Sequence, residues 1–138
     1  MPGTVPTEAE TEMLTGVISS MLGGCYCALL KVGISENAAQ TLAGCLAAEA
    51  NFTGYARAQC ITWSSPFIDA TGAAVSTTTN PQYTPTAAAG TGSIYGYFLV
   101  APGNAAWYGM EIFGGGPVST NQGVTLEVDV TYSLITRF

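Results

Sequence analysis

The chain has 138 residues, of which only three are basic and nine acidic, with no histidine and a net charge of −6. A typical soluble domain has about a quarter of its residues charged, so the 9% here points to a surface covered by other protein and gives little material for catalysis. The basic residues, Lys31, Arg57 and Arg137, are far apart in sequence, which disfavours nucleic acid and anionic membranes, because phosphate is held by clustered Lys and Arg.

The length fits one domain. Residues 1–7, with Pro2 and Pro6, form an expected extended arm, and residues 8–138 the single domain. Met1–Glu8 has neither a basic region nor an apolar core, so no signal peptide is expected. No apolar run approaches the about 20 residues of a membrane span. Thr7 and Glu10 have capping-box spacing, and Glu8, Glu10 and Glu12 suit the positive end of a helix dipole. Met13, Leu14, Val17, Ile18, Met21 and Leu22 then recur at helical spacing, which predicts a helix over about 8–22, stopped by Gly23-Gly24.

Cys25–Val32 reads as a strand, and Ser35 as the cap of an Ala-rich helix over Glu36–Ala48, weakened by Gly44. From Gly54 the period changes to two. Tyr55, Arg57, Gln59, Ile61 and Trp63 alternate with smaller residues until Ser64-Ser65-Pro66. Ala73–Thr79 reads as a Thr-rich strand and Gln82–Thr86 as an edge strand. Ser93–Ala101 and Ala105–Phe113 flank Pro102-Gly103-Asn104 as a hairpin. Both faces of its first strand are apolar, so one is expected in the core and the other against a subunit. Val124–Thr136 alternates cleanly. As one strand it would span about 43 Å, so it either bends across two sheets or pairs with a neighbour. Together these signals predict a mainly β fold, an antiparallel β-sandwich with an N-terminal α-helix and an extended N-terminal arm. With a single Lys to blunt its strand edges, those edges are expected to be paired or covered in an assembly.

Catalytic constellations are scarce. Without histidine there is no Ser-His-Asp or Cys-His site. Arg57 lies three residues from Cys60, on the opposite strand face, so it does not activate that thiol. Cys25, Cys27, Cys45 and Cys60 lack zinc-knuckle spacing and read as buried thiols; Cys25 and Cys27 are poorly placed to bond each other, and a Cys45–Cys60 link stays open. Glu127 and Asp129 share a strand face and, with Glu111, are the carboxylates a small glycosidase would use; a solvated face is the preferred reading. The Gly-rich segments Gly90-Thr91-Gly92 and Gly114–Gly116 lack the Lys of a phosphate loop. No enzyme, metal or cofactor is expected. The candidate interface residues are Val5, Met13, Val17, Tyr95, Tyr97, Trp107, Tyr108 and Phe138, in keeping with the aromatic and Met enrichment of protein interfaces.

The order of segments carries a resemblance. An acidic helix (Glu10-Thr11-Glu12-Met13-Leu14) and a hydrophobic strand (Cys27-Ala28-Leu29-Leu30-Lys31) come first. Leu46-Ala47-Ala48-Glu49-Ala50 runs into Asn51-Phe52-Thr53-Gly54-Tyr55-Ala56. Ile61-Thr62-Trp63, Ile68-Asp69-Ala70-Thr71-Gly72, Ile94-Tyr95-Gly96-Tyr97-Phe98-Leu99 and the last alternating strand follow. Over about residues 8–136 this resembles a group of small tailed-bacteriophage virion proteins. Phe52–Tyr55 and Ile94–Tyr97 carry most of the match, while the four cysteines and the Ala-rich segment 38–50 depart from the pattern. The resemblance implies a structural virion protein, a capsid cement or decoration protein that bridges and stabilises major capsid subunits. Its expected partners are the major capsid protein and further copies of itself, as a homo-oligomer such as a trimer. Its expected place is the capsid surface, after synthesis in the host cytoplasm. The arm before Thr7 and the tail Ile135–Phe138 would reach neighbours. The alternative is a phage head-fibre or tail component that binds a host-surface glycan through Trp107 and Tyr108.

Overall fold

The computed structural model describes residues 7–22, 24–37, 39–60, 62–88 and 92–134. The arm at 1–6, the tail at 135–138 and the positions of Gly23 and Ile61 lie outside the described residues. The chain is mainly β, antiparallel and sandwich-like, with an N-terminal helix. Helix α1 spans Thr7–Leu22. The capping box expected at Thr7 and Glu10 involves side chains that are not described.

The central sheet has four strands in the order β2-β1-β7-β8: β1 is Tyr26–Leu30, β2 Ala58–Gln59, β7 Gly96–Val100 and β8 Trp107–Ile112. Strand β1 pairs antiparallel with β7 along its whole length. The predicted hairpin is β7–β8, closed by a 3₁₀ turn at Pro102–Asn104, with a bulge that places Val100 opposite Trp107.

Both faces of the β1–β7 pair are buried within the chain. On one face Cys27, Leu29, Tyr97 and Leu99 join Leu14 and Ile18 of α1 and Val128 and Val130. On the other, Ala28, Leu30, Phe98 and Val100 pack with Cys45 and Ala48. This explains the lack of alternation in these segments: strands covered on both sides read as continuous apolar runs. It also corrects one expectation, because β7 leaves no face for a neighbouring subunit.

The second face is covered by a shorter helix than predicted. Helix α2 spans only Leu42–Ala47, and its cap is Thr41, whose Oγ1 accepts a hydrogen bond from Gly44 N at 3.2 Å. Ser35 caps nothing. Asn37 captures the intervening segment instead, its side chain accepting from Ala39 N at 2.8 Å and its carbonyl from Gln40 N at 3.1 Å. That local bonding competes with helix formation.

The first face is covered by short strands. Strands β3 (Phe67–Ile68), β4 (Ala74–Thr77) and β11 (Thr131–Leu134) form a three-stranded sheet in the order β11-β4-β3. Two ribbons complete the fold, β5 (Gln82–Tyr83) with β10 (Leu126–Glu127) and β6 (Ser93–Ile94) with β9 (Val118–Ser119). Helix α1 packs on β4 and touches β3 and β11. The long alternating segment is therefore divided: β10 pairs with β5 and β11 with β4. Its side-chain alternation survives the break, with Val128 and Val130 buried and Glu127, Asp129 and Thr131 exposed. The strand predicted over Tyr55–Trp63 shrinks to Ala58–Gln59 and a single bridge at Trp63–Thr78, because Tyr55 is held in a turn by its N–H to Phe52 O.

Two glycines in the resemblance motifs are required by packing. Gly54 has a φ of +89°, and a Cβ there would sit 2.8 Å from the Thr86 side chain. At Gly96 a Cβ would run into the Glu111 carbonyl oxygen on the neighbouring strand. Gly96→Ala should therefore destabilise the fold by about 1–3 kcal/mol in urea unfolding. Gly115→Ala, with open space around it, should be nearly neutral; equal losses at both positions would discount the close approach.

Candidate interaction surface

Two of the chain's twelve charged residues, Glu49 and Arg57, meet in one partly buried network. Arg57 makes a bidentate contact with Glu49, Nε to Oε2 and Nη2 to Oε1, both at 2.8 Å. Its Nη1 donates to Asn104 Oδ1 at 2.8 Å, in the β7–β8 turn, and its guanidinium lies 5.9 Å from the centre of the Phe98 ring. The Tyr55 hydroxyl donates to Glu49 Oε2 at 2.7 Å and accepts from Leu29 N at 3.1 Å. Burial disfavours the Glu49 carboxylate, but the bonds from Arg57 and Tyr55 and the Arg57 charge outweigh it, and the carboxyl titrates below its usual value. Burial, then the bond to Glu49, push the Tyr55 phenol well above its ordinary range. These groups tie three segments together.

Three carboxylates named from sequence meet elsewhere. Glu111, Glu127 and Asp129 line a shallow cleft of about 250 Å³ with apolar walls that include Phe113 and Leu126. Asn80 Nδ2 donates to Glu127 Oε1 at 2.9 Å and to Asp129 Oδ1 at 2.7 Å, so a neutral amide bridges the pair. Glu111 accepts from the Tyr97 hydroxyl at 3.2 Å. A wider cleft of about 470 Å³, with Thr62, Thr78 and Asn80 in its lining, holds no charged side chain. Among the described residues no group of three or more Cys, Asp or Glu could hold a metal ion, and no helix is long and apolar enough to cross a membrane.

All four cysteines are free and buried. Cys25, Cys27 and Cys60 belong to one core and Cys45 to the core across the central sheet, which closes the Cys45–Cys60 option. Its contact is instead Met110, Sγ to Sδ at 3.9 Å. The neighbouring Cys60 sulfur, then burial, push the Cys25 and Cys27 thiols upward, and those two thiols favour the thiolate at Cys60.

The interface candidates are spread over different environments. Met13 is 53% exposed on α1, while Val17, on the same helix, packs half-buried against the core. Tyr95 is half-buried between β6 and β7, its N–H bonded to Leu30 O at 2.8 Å. Tyr97 is buried, so it serves the core and not a neighbour. Trp107 and Tyr108 are half-buried on opposite faces of the central sheet, packed against different cores. They therefore do not form a single stacking platform. Val5 and Phe138 lie outside the described residues.

Strand β3 lies in a segment that its sequence pattern does not mark as a strand. It forms one edge of its sheet, and both its side chains are exposed, Phe67 at 46% and Ile68 at 39%. Two adjacent large apolar residues after Ser64-Ser65-Pro66 were the available signal. In comparisons with protein-family models, curated proteins and solved structures, the chain matches none.

The Glu49 network makes stability pH-dependent in a defined direction. A carboxyl titrating lower in the folded state stabilises above the unfolded pKa, and that stabilisation is lost as pH falls through the folded value. Glu49→Gln should cost about 1–2 kcal/mol at neutral pH, allowing for some solvent screening of a partly buried pair. In urea unfolding the gap between wild type and variant should narrow towards about pH 3; a gap independent of pH would refute the assignment.

Proposed function

We propose that the chain is a structural, non-catalytic virion protein of a tailed bacteriophage, a capsid cement or decoration protein that bridges major capsid subunits. The observation that carries this reading is the edge strand β3, whose Phe67 and Ile68 are both exposed. The strand is two residues long and follows Pro66, which limits backbone pairing at this edge; what it offers a partner is two adjacent exposed apolar side chains, one of them aromatic. Helix α1, which contacts β3, also bears an exposed apolar side chain, Met13. Supporting it are the low count of charged residues and the resemblance of the segment order to that of small virion proteins. The partners in this reading are the major capsid protein and further copies of the chain, on the outer surface of the shell.

The test is to mix the purified chain with capsid shells of its own assembly and measure mass and occupancy. Binding at defined shell sites is expected. Phe67→Glu combined with Ile68→Glu should lower the affinity about tenfold or more while leaving the circular dichroism spectrum unchanged. A chain that stays monomeric, ignores the shell and binds glycans would replace this reading with the recognition module.

A further inference from the structure

The core thiols are arranged for a specific oxidation. In the β1–β2 register Tyr26 faces Gln59 and Cys27 faces Ala58, so one step outward Cys25 faces Cys60. A bond of 2.8 Å from Cys60 N to Cys25 O carries the ladder to that pair. Both residues are buried in the same core, Cys25 at 0% and Cys60 at 1% exposure. Directly opposed residues that share ladder bonds have Cα atoms about 5.5 Å apart, inside the about 4.4–6.8 Å that a disulfide spans. Cys27 is the diagonal neighbour of Cys60, at a typical separation of about 7–8 Å, and Cys45 lies across the sheet.

We propose that Cys25 and Cys60 form a cross-strand disulfide when the protein meets a small-molecule disulfide oxidant such as oxidised glutathione, and that this bridge fastens β2 to the central sheet. Strand β2 is two residues long and sits at the sheet edge. Local opening of so short an edge needs few bonds broken and admits the oxidant. One cysteine thiolate attacks a sulfur of the oxidant, forming a mixed disulfide and expelling one glutathione thiolate. The second cysteine thiolate then attacks the protein sulfur of that mixed disulfide and expels the second glutathione thiolate. The two cysteines are oxidised, the oxidant is reduced to two thiols, and the two cysteine protons pass to the glutathione thiolates. The bridge closes residues 25–60 into a loop, and loop closure stabilises chiefly by constraining the unfolded chain. Nothing in this step depends on the capsid reading.

The experiment treats the full chain with oxidised glutathione, blocks residual thiols in denaturant and maps the peptides. Trypsin cutting after Lys31 and Arg57 places Cys60 on a different peptide from Cys25 and Cys27, and chymotrypsin cutting after Tyr26 separates those two. Free thiols should fall from four to two, with the Cys25 peptide linked to the Cys60 peptide and the melting temperature raised by roughly 5–10 °C. Cys27→Ser should still form the bridge, and Cys60→Ser should not. Four thiols surviving the oxidant, or a bridge at Cys27 or Cys45, would overturn the proposal. The wild-type peptide map decides the matter even if a serine variant fails to fold.

Discussion

The rest of the structure depends on the burial of β1 and β7 on both faces. The pair contributes Leu29, Tyr97 and Leu99 to one core and Leu30, Phe98 and Val100 to the other. A sheet with two apolar faces needs two covers. Helix α2 and its flanking segments cover one; α1, the short strands and the ribbons cover the other. Among the described residues no strand outside the central sheet is longer than four residues, so their positions follow from the surface they must shield more than from their own pairing.

Having few ionic groups, the chain meets its internal polar needs with tyrosine and backbone. Buried donors and acceptors that lose water must find partners or carry a large penalty. The Tyr83 hydroxyl donates to Cys27 O at 2.6 Å and the Tyr132 hydroxyl to Tyr108 O at 2.8 Å, each linking one layer to the next. Tyr55 does the same for the Glu49–Arg57 pair and the Leu29 amide. Every buried side-chain nitrogen or oxygen among the described residues has a partner. A phenol at the end of an apolar ring covers core and satisfies a carbonyl with one side chain, which suits a chain so poor in charge.

The same economy shapes the surface. The bidentate Arg57 is committed to an internal clamp, and the carboxylates Glu127 and Asp129 are bridged by Asn80. Beside these groups the surface carries large apolar side chains, among them Phe67 and Ile68 on a sheet edge, Met13 on α1 and Val124. Of the aromatic residues that looked most like contact points from sequence, Tyr97 went into a core and Trp107 and Tyr108 pack half-buried against one core each, because the hairpin that holds them supplies half of the central pair.

Much of the architecture was legible from local signals. The helix over 8–22, the hairpin around Pro102–Asn104 and the alternation from Val124 onward follow from periodicity and turn chemistry, which act within a few residues. Other features depended on distant partners. The break in the last strand comes from exchange between β5 and β4, the shortness of α2 from Asn37 bonding its own neighbours, and the loss of the strand at Tyr55 from a turn whose side chains are claimed by Glu49. Among site residues, sequence alone placed Met13 on a helix and Glu127 beside Asp129. Tertiary structure decided that Tyr97 is buried, that Trp107 and Tyr108 face opposite ways, that β3 lies at a sheet edge with both side chains exposed and that Cys60 meets Cys25. The physical reason is that hydrophobic periodicity marks a side chain as one to be covered, while only the packing of strands far apart in sequence determines what covers it.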